Sequence, residues 1–123
     1  MKFLIDTNII IDHLWGEKKA TDLLSLAEKK KIEAIISVIT EYEILCGKMS
    51  SSQERKIMEL LSLFSIINVD SGIVRKAAYF YKKYQTNFVD GIIATTSFVF
   101  KSTLITRNIK HFRKIKEIKV ESL

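Results

Sequence analysis

Short apolar runs that alternate with helical segments constrain this chain of 123 residues more than any other feature. The first run is uninterrupted, which is typical of a strand buried on both faces of a parallel sheet. Parallel strands need crossover connections, which helices normally supply with right-handed topology. We therefore predict an α/β fold with a mostly parallel five-stranded sheet and helices on both faces. The strands are predicted at residues 1–5, 34–38, 64–69, 102–106 and 115–120, the last at an edge because charged side chains alternate along it.

Length and composition favour one cytoplasmic domain. The chain is 47% hydrophobic and long enough for a single core, so we expect one domain over residues 1–123. Its one cysteine, Cys46, excludes an internal disulfide, which suits a reducing cytoplasm. Asp6 and Asp12 interrupt the apolar N-terminal run, which therefore lacks the pattern of a signal peptide. No stretch approaches the ~18 apolar residues of a membrane span, and we expect no membrane contact.

Capping residues predict where the helices begin. The expected starts are a cap at Thr7 or Asn8, capping boxes at Thr40-x-x-Glu43 and Ser51-x-x-Glu54, a cap at Asp70 or Ser71, and a helix from about Val89 to Phe100 behind Asn87. A short turn or helix is expected from Asn108 to Phe112.

Asp6 is the most unusual residue of the chain, because it follows a buried apolar strand and precedes another apolar run. A carboxylate in such surroundings loses several kcal/mol of solvation unless it is paired, hydrogen-bonded or bound to a metal. Asp6 therefore either caps a helix or takes part in function.

Four polar residues are predicted to share one crevice. In open parallel sheets the active crevice lies beyond the carboxyl ends of the strands, where we expect Asp6, Glu43, Asp90 and Asn108. Three carboxylates in a small space repel one another, so either one of them is protonated or a cation neutralises them. Ligands that are all oxygen favour Mg²⁺ or Mn²⁺, and such an ion can activate water and stabilise the charge on an attacked phosphate.

Each acidic residue also fits a purely structural role. Glu43 fits a capping box with Thr40, Asp90 fits the charge of a helix start behind Asn87, and Asp6 fits a helix cap. Two further acidic residues lie outside the predicted metal set: Glu41 is expected to face away from Glu43 and is the first reserve, and Asp12 lies more than one turn from Asp6.

Four motifs together resemble a known family. In order they are FLIDTNIIID at 3–12, ISVITEYEILCG at 36–47, VDGIIATT at 89–96 and LITRNIKHF at 104–112. They are similar to the PIN-domain ribonucleases and, within them, to the VapC-type toxins of toxin-antitoxin pairs. The likeness covers essentially the whole chain, and four motifs in the right order and spacing are far more specific than any one of them.

The resemblance implies a PIN-like three-layer sandwich and a metal-dependent endoribonuclease, the toxin of a type II (VapBC-like) system. Asp6, Glu43 and Asp90 match the acidic metal-binding positions of the family, and the supporting polar positions are Thr7, Asn8, Thr40 and Thr106. Water activated by Mg²⁺ or Mn²⁺ is expected to attack an RNA phosphodiester. Many members carry an aspartate at or just after the fourth position, whereas this chain has Asn108 and then His111. The resemblance also implies a homodimer and an antitoxin partner whose tail covers the crevice.

Basic residues beside the fourth motif are candidate RNA contacts. The chain has 20 Lys and Arg against 14 Asp and Glu, a formal net charge of +6 that permits a polyanionic partner without requiring one. The residues expected to contact phosphates are Arg107, Lys110, Arg113 and Lys114. Lys114, Lys116 and Lys119 are equally consistent with a solvated edge strand, and His111 is a candidate proton donor.

Two other functions fit parts of the pattern. Haloacid-dehalogenase-like phosphatases also place an aspartate after the first strand, but they need a second one two residues on, where this chain has Asn8. A catalytically inactive module of the PIN fold that only binds RNA or a partner protein is the non-enzymatic alternative, and the changed fourth position favours it.

Overall fold

The computed structural model describes all residues from 1 to 123, which form five strands and seven helices. In chain order these are β1 (Lys2–Ile5), α1 (Thr7–Leu14), α2 (Lys18–Glu28), β2 (Glu33–Ser37), α3 (Val38–Leu45), α4 (Ser51–Leu61), β3 (Ser65–Ile67), α5 (Ser71–Tyr84), α6 (Phe88–Val99), β4 (Thr103–Ile105), α7 (Ile109–Arg113) and β5 (Lys119–Glu121). None of the helices combines the length and apolar character needed to cross a lipid bilayer.

The five strands form one sheet in the order β3-β2-β1-β4-β5, and every neighbouring pair is parallel. The predicted α/β fold with a parallel five-stranded sheet is confirmed, as is the edge position of the last strand. That strand begins at Lys119 and not at residue 115, because Ile115 is buried in a turn that follows α7 and donates its amide to the carbonyl of Phe112.

Alternate residues of β1 face opposite layers of helices. Phe3 and Ile5 belong to a buried apolar cluster with side chains of α1, α2, α3 and α4, whereas Leu4 packs with side chains of α5, α6 and α7. Both faces of the central strand are therefore covered, which explains why it is apolar from Phe3 to Ile5. The result is the predicted three-layer arrangement of helices, sheet and helices.

Several helices begin at a residue other than the predicted one. The N-cap of α1 is Asp6 and not Thr7 or Asn8, the N-cap of α3 is Ser37 and not Thr40, and the capping box of α4 joins Ser50 with Gln53 and not Ser51 with Glu54. In the first two cases the strand leads almost directly into the helix, so the residue at the strand end is itself the cap. Asp70 and Asn87 cap α5 and α6 as predicted.

Candidate active site

Asp6 lies at the carboxyl end of the central strand, beside the end of its neighbour β4. Ile5 pairs with Ile105 in the sheet, and the amide of Asp6 donates a 3.0 Å hydrogen bond to the carbonyl of Ile105. Asp6 follows Ile5 and Thr106 follows Ile105, so the two residues lie side by side at the carboxyl ends of β1 and β4. This is the crevice position that the parallel topology predicts.

The Asp6 carboxylate is buried and accepts three hydrogen bonds. Its Oδ1 accepts from the amide of Thr7 at 2.8 Å, and its Oδ2 accepts from Oγ1 of Thr106 at 2.7 Å and from Nδ2 of Asn8 at 3.3 Å. Only 9% of the residue is exposed. Asp6 thus caps α1, but the capping contact involves one oxygen and leaves the other turned towards the residues that follow β4.

Burial raises the pKa of Asp6 above its ordinary value. The hydrogen bonds from Thr106 and Thr7 oppose this rise, and the negative charges of Asp90 and Glu43 add to it. The net pKa is raised, so the hydrogen bonds do not fully compensate the buried charge. A nearby cation would stabilise the ionised form.

The hydrogen-bond network extends from Asp6 to the fourth motif. Nδ2 of Asn8 also lies 3.3 Å from Oγ1 of Thr106, and Oδ1 of Asn8 accepts from the amide of Arg107 at 3.1 Å. The amide of Asn108 donates to Oγ1 of Thr106 at 3.0 Å. The side chain of Asn108 is at the N-terminus of α7 and makes no capping hydrogen bond, so its link to the site runs through its main chain.

Glu43 joins the site through α1. Oγ1 of Thr7 donates a 2.7 Å hydrogen bond to Oε1 of Glu43 and lies 3.0 Å from Oγ1 of the buried Thr40. Because α3 begins at Val38, Thr40 and Glu43 stand one turn apart on the same side of the helix. The capping-box role of Glu43 is wrong, since Ser37 caps this helix.

Asp90 lies in the first turn of α6, where Asn87 and His111 contact it. Its amide donates to Oδ1 of Asn87 at 2.8 Å, and Nδ2 of Asn87 donates to Oδ2 of Asp90 at 3.0 Å. Nδ1 of His111 lies 3.4 Å from the same Oδ2. The sequence predicts the helix start but not the hydrogen bond from the Asn87 side chain to the Asp90 carboxylate. An asparagine three residues before an aspartate at a helix start could have indicated this contact.

The acidic side chains are not packed into a closed metal cage. No three of the chain's His, Cys, Asp and Glu side chains are gathered closely enough to enclose an ion by themselves. Their oxygen-only donors nevertheless fit Mg²⁺ or Mn²⁺, because such hard ions keep several waters and take only one or two carboxylates directly. The pKa of Asp6 is raised mainly by burial, and the negative charges of Asp90 and Glu43 add to this rise, so both carboxylates lie near enough to act on Asp6.

The predicted RNA-contacting residues lie on the segment that follows β4 and on α7. The side chain of Arg107 turns to α1, where its Nε is 3.0 Å from Oδ2 of Asp12. Lys110, Arg113 and Lys114 are exposed on α7 and its C-terminal end and form no ion pair. Because Asp12 lies more than one helical turn from Asp6, the sequence predicts that Asp12 is outside the site. No local pattern in the sequence indicates that Arg107 is its partner.

Known proteins share this fold. Residues 3–118 match the family model of the PIN domain. The chain therefore belongs to the PIN-domain family, and this removes the haloacid-dehalogenase-like alternative. Within the family it is of the VapC type: it is 32% identical over 117 residues to Ribonuclease VapC19 of Mycobacterium tuberculosis, an alignment that covers 89% of this chain and 90% of that protein.

Two solved structures extend the comparison. A chain of a toxin-antitoxin complex from Klebsiella pneumoniae is 34% identical, with a TM-score of 0.81 over 94% of this chain and 93% of that one. A chain of VapBC2 from Rickettsia felis, bound to a DNA fragment from its promoter, has a TM-score of 0.82 at 22% identity and covers 100% of this chain and 99% of that one. The second likeness concerns the fold alone.

Proposed function

We propose that this protein is a metal-dependent endoribonuclease and the toxin of a type II toxin-antitoxin system. The observation that carries the proposal is the buried Asp6 at the end of the central strand, with the acidic residues Asp90 and Glu43 close enough to raise its pKa. A buried charge that its own hydrogen bonds do not fully stabilise is typical of a functional site. The VapC-type relatives support ribonuclease activity.

The residues proposed to hold Mg²⁺ or Mn²⁺ are Asp6, Asp90 and Glu43. When bound, the ion would lower the pKa of a water molecule and offset the negative charge of the attacked phosphate. Thr106 and Asn8 orient the Asp6 carboxylate, and Thr7 with Thr40 orients Glu43.

Asn108 is proposed as the fourth site residue, contributing a neutral amide where many members of the family carry a carboxylate. Its main-chain amide already bonds Thr106, which fixes the start of the segment relative to Asp6. A neutral group there adds no repulsion to the three carboxylates, and it reduces the charge available for a second ion.

RNA is the proposed substrate, and the phosphate contacts are assigned to Arg107, Lys110, Arg113 and Lys114. These side chains are exposed on the segment that follows β4 and on α7, and phosphate groups are commonly bound by such residues. The net charge of +6 assists the approach of a polyanion.

A cognate antitoxin, a homodimer and a cytoplasmic location complete the proposal, with residues 1–123 forming a single PIN domain. The structural neighbour that is 34% identical comes from a toxin-antitoxin complex, which supports an antitoxin partner. A basic side chain of its tail would suit the acidic crevice. Val74, Tyr81 and Phe88 are exposed apolar residues on neighbouring parts of α5 and α6, which supports a contact with a second copy.

The test is cleavage of single-stranded RNA by the purified chain with Mg²⁺ or Mn²⁺, with and without EDTA. We expect internal cuts that EDTA abolishes and that Asp6→Asn lowers by a factor of about 10³ or more, the scale of losing a group that acts in the transition state. Equal activity of Asp6→Asn and the unchanged chain would remove Asp6 from the mechanism.

The second candidate is a PIN-fold module that binds RNA or a protein without cutting it. The absence of a closed cluster of three metal-ligating side chains, together with Asn108 at the fourth position, favours this alternative. The cleavage assay together with a gel-shift experiment separates the two functions. An inactive module would bind RNA in the gel shift and leave it intact with either ion.

A further inference from the structure

Arg107 is held at two points by one face of α1. Its main-chain amide donates to Oδ1 of Asn8 at 3.1 Å, and its side-chain Nε lies 3.0 Å from Oδ2 of Asp12. Asn8 and Asp12 are four residues apart in the same helix, so their side chains project from one side of it. The helix therefore fixes both the backbone and the side chain of this arginine.

The contact with Asp12 leaves most of the guanidinium free. Oδ2 of Asp12 lies within ion-pair distance of Nε, and no guanidinium nitrogen of Arg107 donates a hydrogen bond within the chain. The Arg107 side chain is 59% exposed, whereas that of Asp12 is only 23% exposed. An arginine held near Asp12 by this ion pair keeps all of its side-chain donors free, and their planar fork suits a phosphate.

This position is adjacent to the proposed catalytic carboxylate. Asn8 bonds the amide of Arg107 and also donates to Oδ2 of Asp6. One asparagine side chain therefore connects the arginine to the site where the scissile phosphate must lie. A cation carried by a segment that is tied to this site can bind a phosphate next to the one that is cut.

We propose that Asp12 is a positioning residue for RNA binding, because its ion pair with Arg107 orients the guanidinium towards a substrate phosphate beside Asp6. The proposal rests on the proposed function of the chain as a ribonuclease. An ion pair as exposed as this one contributes little to stability, so an effect on folding is not its main consequence.

Coulomb's law and the positioning role predict opposite signs for the loss of Asp12. If the carboxylate acts only as a negative charge near the site, its removal reduces repulsion and tightens RNA binding. If it orients Arg107, its removal lets the arginine swing away and weakens binding. The direction of the change therefore decides between the two roles without reference to its size.

The experiment measures the dissociation constant of a short single-stranded RNA at several salt concentrations, with every protein also carrying Asp6→Asn so that the RNA stays intact. Asp12→Asn is expected to weaken binding about fivefold at ~0.1 M salt and to reduce the slope of log K against log salt by about 0.7, the share of one phosphate contact on a single strand. Asp12→Glu, which keeps the carboxylate, should recover part of the loss.

Two matched variants separate the positioning role from a general effect of charge. Asp22→Asn removes the same charge from the exposed Lys18–Asp22 pair on α2 and is expected to leave binding unchanged or slightly tighter. In a chain that already carries Arg107→Ala, Asp12→Asn is expected to lose its weakening effect, since the residue it positions is gone.

Three results overturn the proposal. Binding that is equal or tighter in Asp12→Asn than in its parent contradicts the positioning role but leaves the ribonuclease function intact. An unchanged weakening in the Arg107→Ala background shows that Asp12 acts through something else. Failure of the parent to bind any RNA refutes the proposed function, and this inference with it.

Discussion

Thr106 donates a 2.7 Å hydrogen bond to the carboxylate of Asp6, although the two residues are 100 positions apart in the chain. The bond is fully buried and crosses between the ends of two adjacent parallel strands. The same Thr106 oxygen accepts from the amide of Asn108 at 3.0 Å. One hydroxyl therefore sets the position of the central carboxylate and of the segment that carries the fourth motif.

Thr106→Val is predicted to shift the acidic limb of the pH-activity profile to higher pH. The hydrogen bond from Thr106 lowers the pKa of Asp6, so its loss lets that pKa rise further. The amide of Asn108 also loses its acceptor, and we expect the free energy of unfolding to fall by about 1–3 kcal/mol. Rates measured across pH check the first effect and denaturant unfolding the second, with Thr106→Ser as a control that keeps the hydroxyl.

Asp6→Asn is predicted to raise the melting temperature at neutral pH when no divalent metal is present. The folded pKa of Asp6 lies above its unfolded value of 3.8, so the folded chain binds more protons between the two values. The free energy of unfolding therefore falls as the pH rises from 3.8 through the folded pKa of Asp6. At neutral pH the Asp6 carboxylate is charged in both states, and its full destabilising effect is present. Scanning calorimetry at several pH values should show a gain that shrinks towards pH values below ~3.8. A gain that is independent of pH would contradict this account.

Thr7→Val is predicted to lower kcat by about tenfold to a hundredfold, the usual effect of removing a residue that orients a metal-binding group. Thr7 provides the hydrogen bond that holds Glu43 towards the site, and Glu43 is otherwise an exposed side chain free to move. Steady-state cleavage of RNA measures the change, and Thr7→Ser should remain close to the parent. Full activity of the valine variant would exclude Glu43 as a group that needs positioning.

Asn87→Ser separates capping from positioning at Asp90. Serine caps a helix about as well as asparagine, so the free energy of unfolding is expected to change by less than about 0.5 kcal/mol. Serine cannot replace the Nδ2 donor that contacts the Asp90 carboxylate, and we expect a loss of activity of about tenfold or more. Asn87→Ala should lose both functions. Equal activity of the serine variant and the parent would mean that Asn87 serves the helix alone.

The layered fold could be predicted from the sequence because strands that are buried on both faces consist of continuous apolar residues. β1 is covered on both faces, and its apolar run has no polar residue until Asp6. Asp6 itself is identifiable for the same reason, since a carboxylate at the end of such a strand must be capped, paired or bound to a metal. These inferences depend on residues that are neighbours in the chain.

The helix starts are harder to locate where two capping residues lie close together. Ser37 and Thr40 both have suitable hydroxyls, and the pattern Thr40-x-x-Glu43 resembles a capping box. Ser37 caps α3 because it is also the last residue of β2, where its pairing with Ile67 of β3 ends. That pairing is a tertiary contact, so local sequence could not decide between the two.

Long-range ion pairs leave no local pattern at all. Asp12 is distant from Asp6 when the separation is measured along α1, whereas its partner Arg107 arrives from the far end of β4. The sequence predicts His111 only as a proton donor, although it stands beside Asp90. The Arg107–Asp12 and His111–Asp90 contacts depend on where the fold places α7 and the segment before it relative to α1 and α6.

The central claim is that Asp6, Glu43 and Asp90 serve one divalent cation. Calorimetric titration of Mn²⁺ into the unchanged chain and into Asp6→Asn, Glu43→Gln and Asp90→Asn tests it most directly, with Glu41→Gln as a control that removes a neighbouring charge outside the site. The account predicts binding by the unchanged chain and by Glu41→Gln, and a loss of affinity of about tenfold or more in each of the other three. No detectable binding by the unchanged chain, or equal affinity in all five proteins, would contradict it.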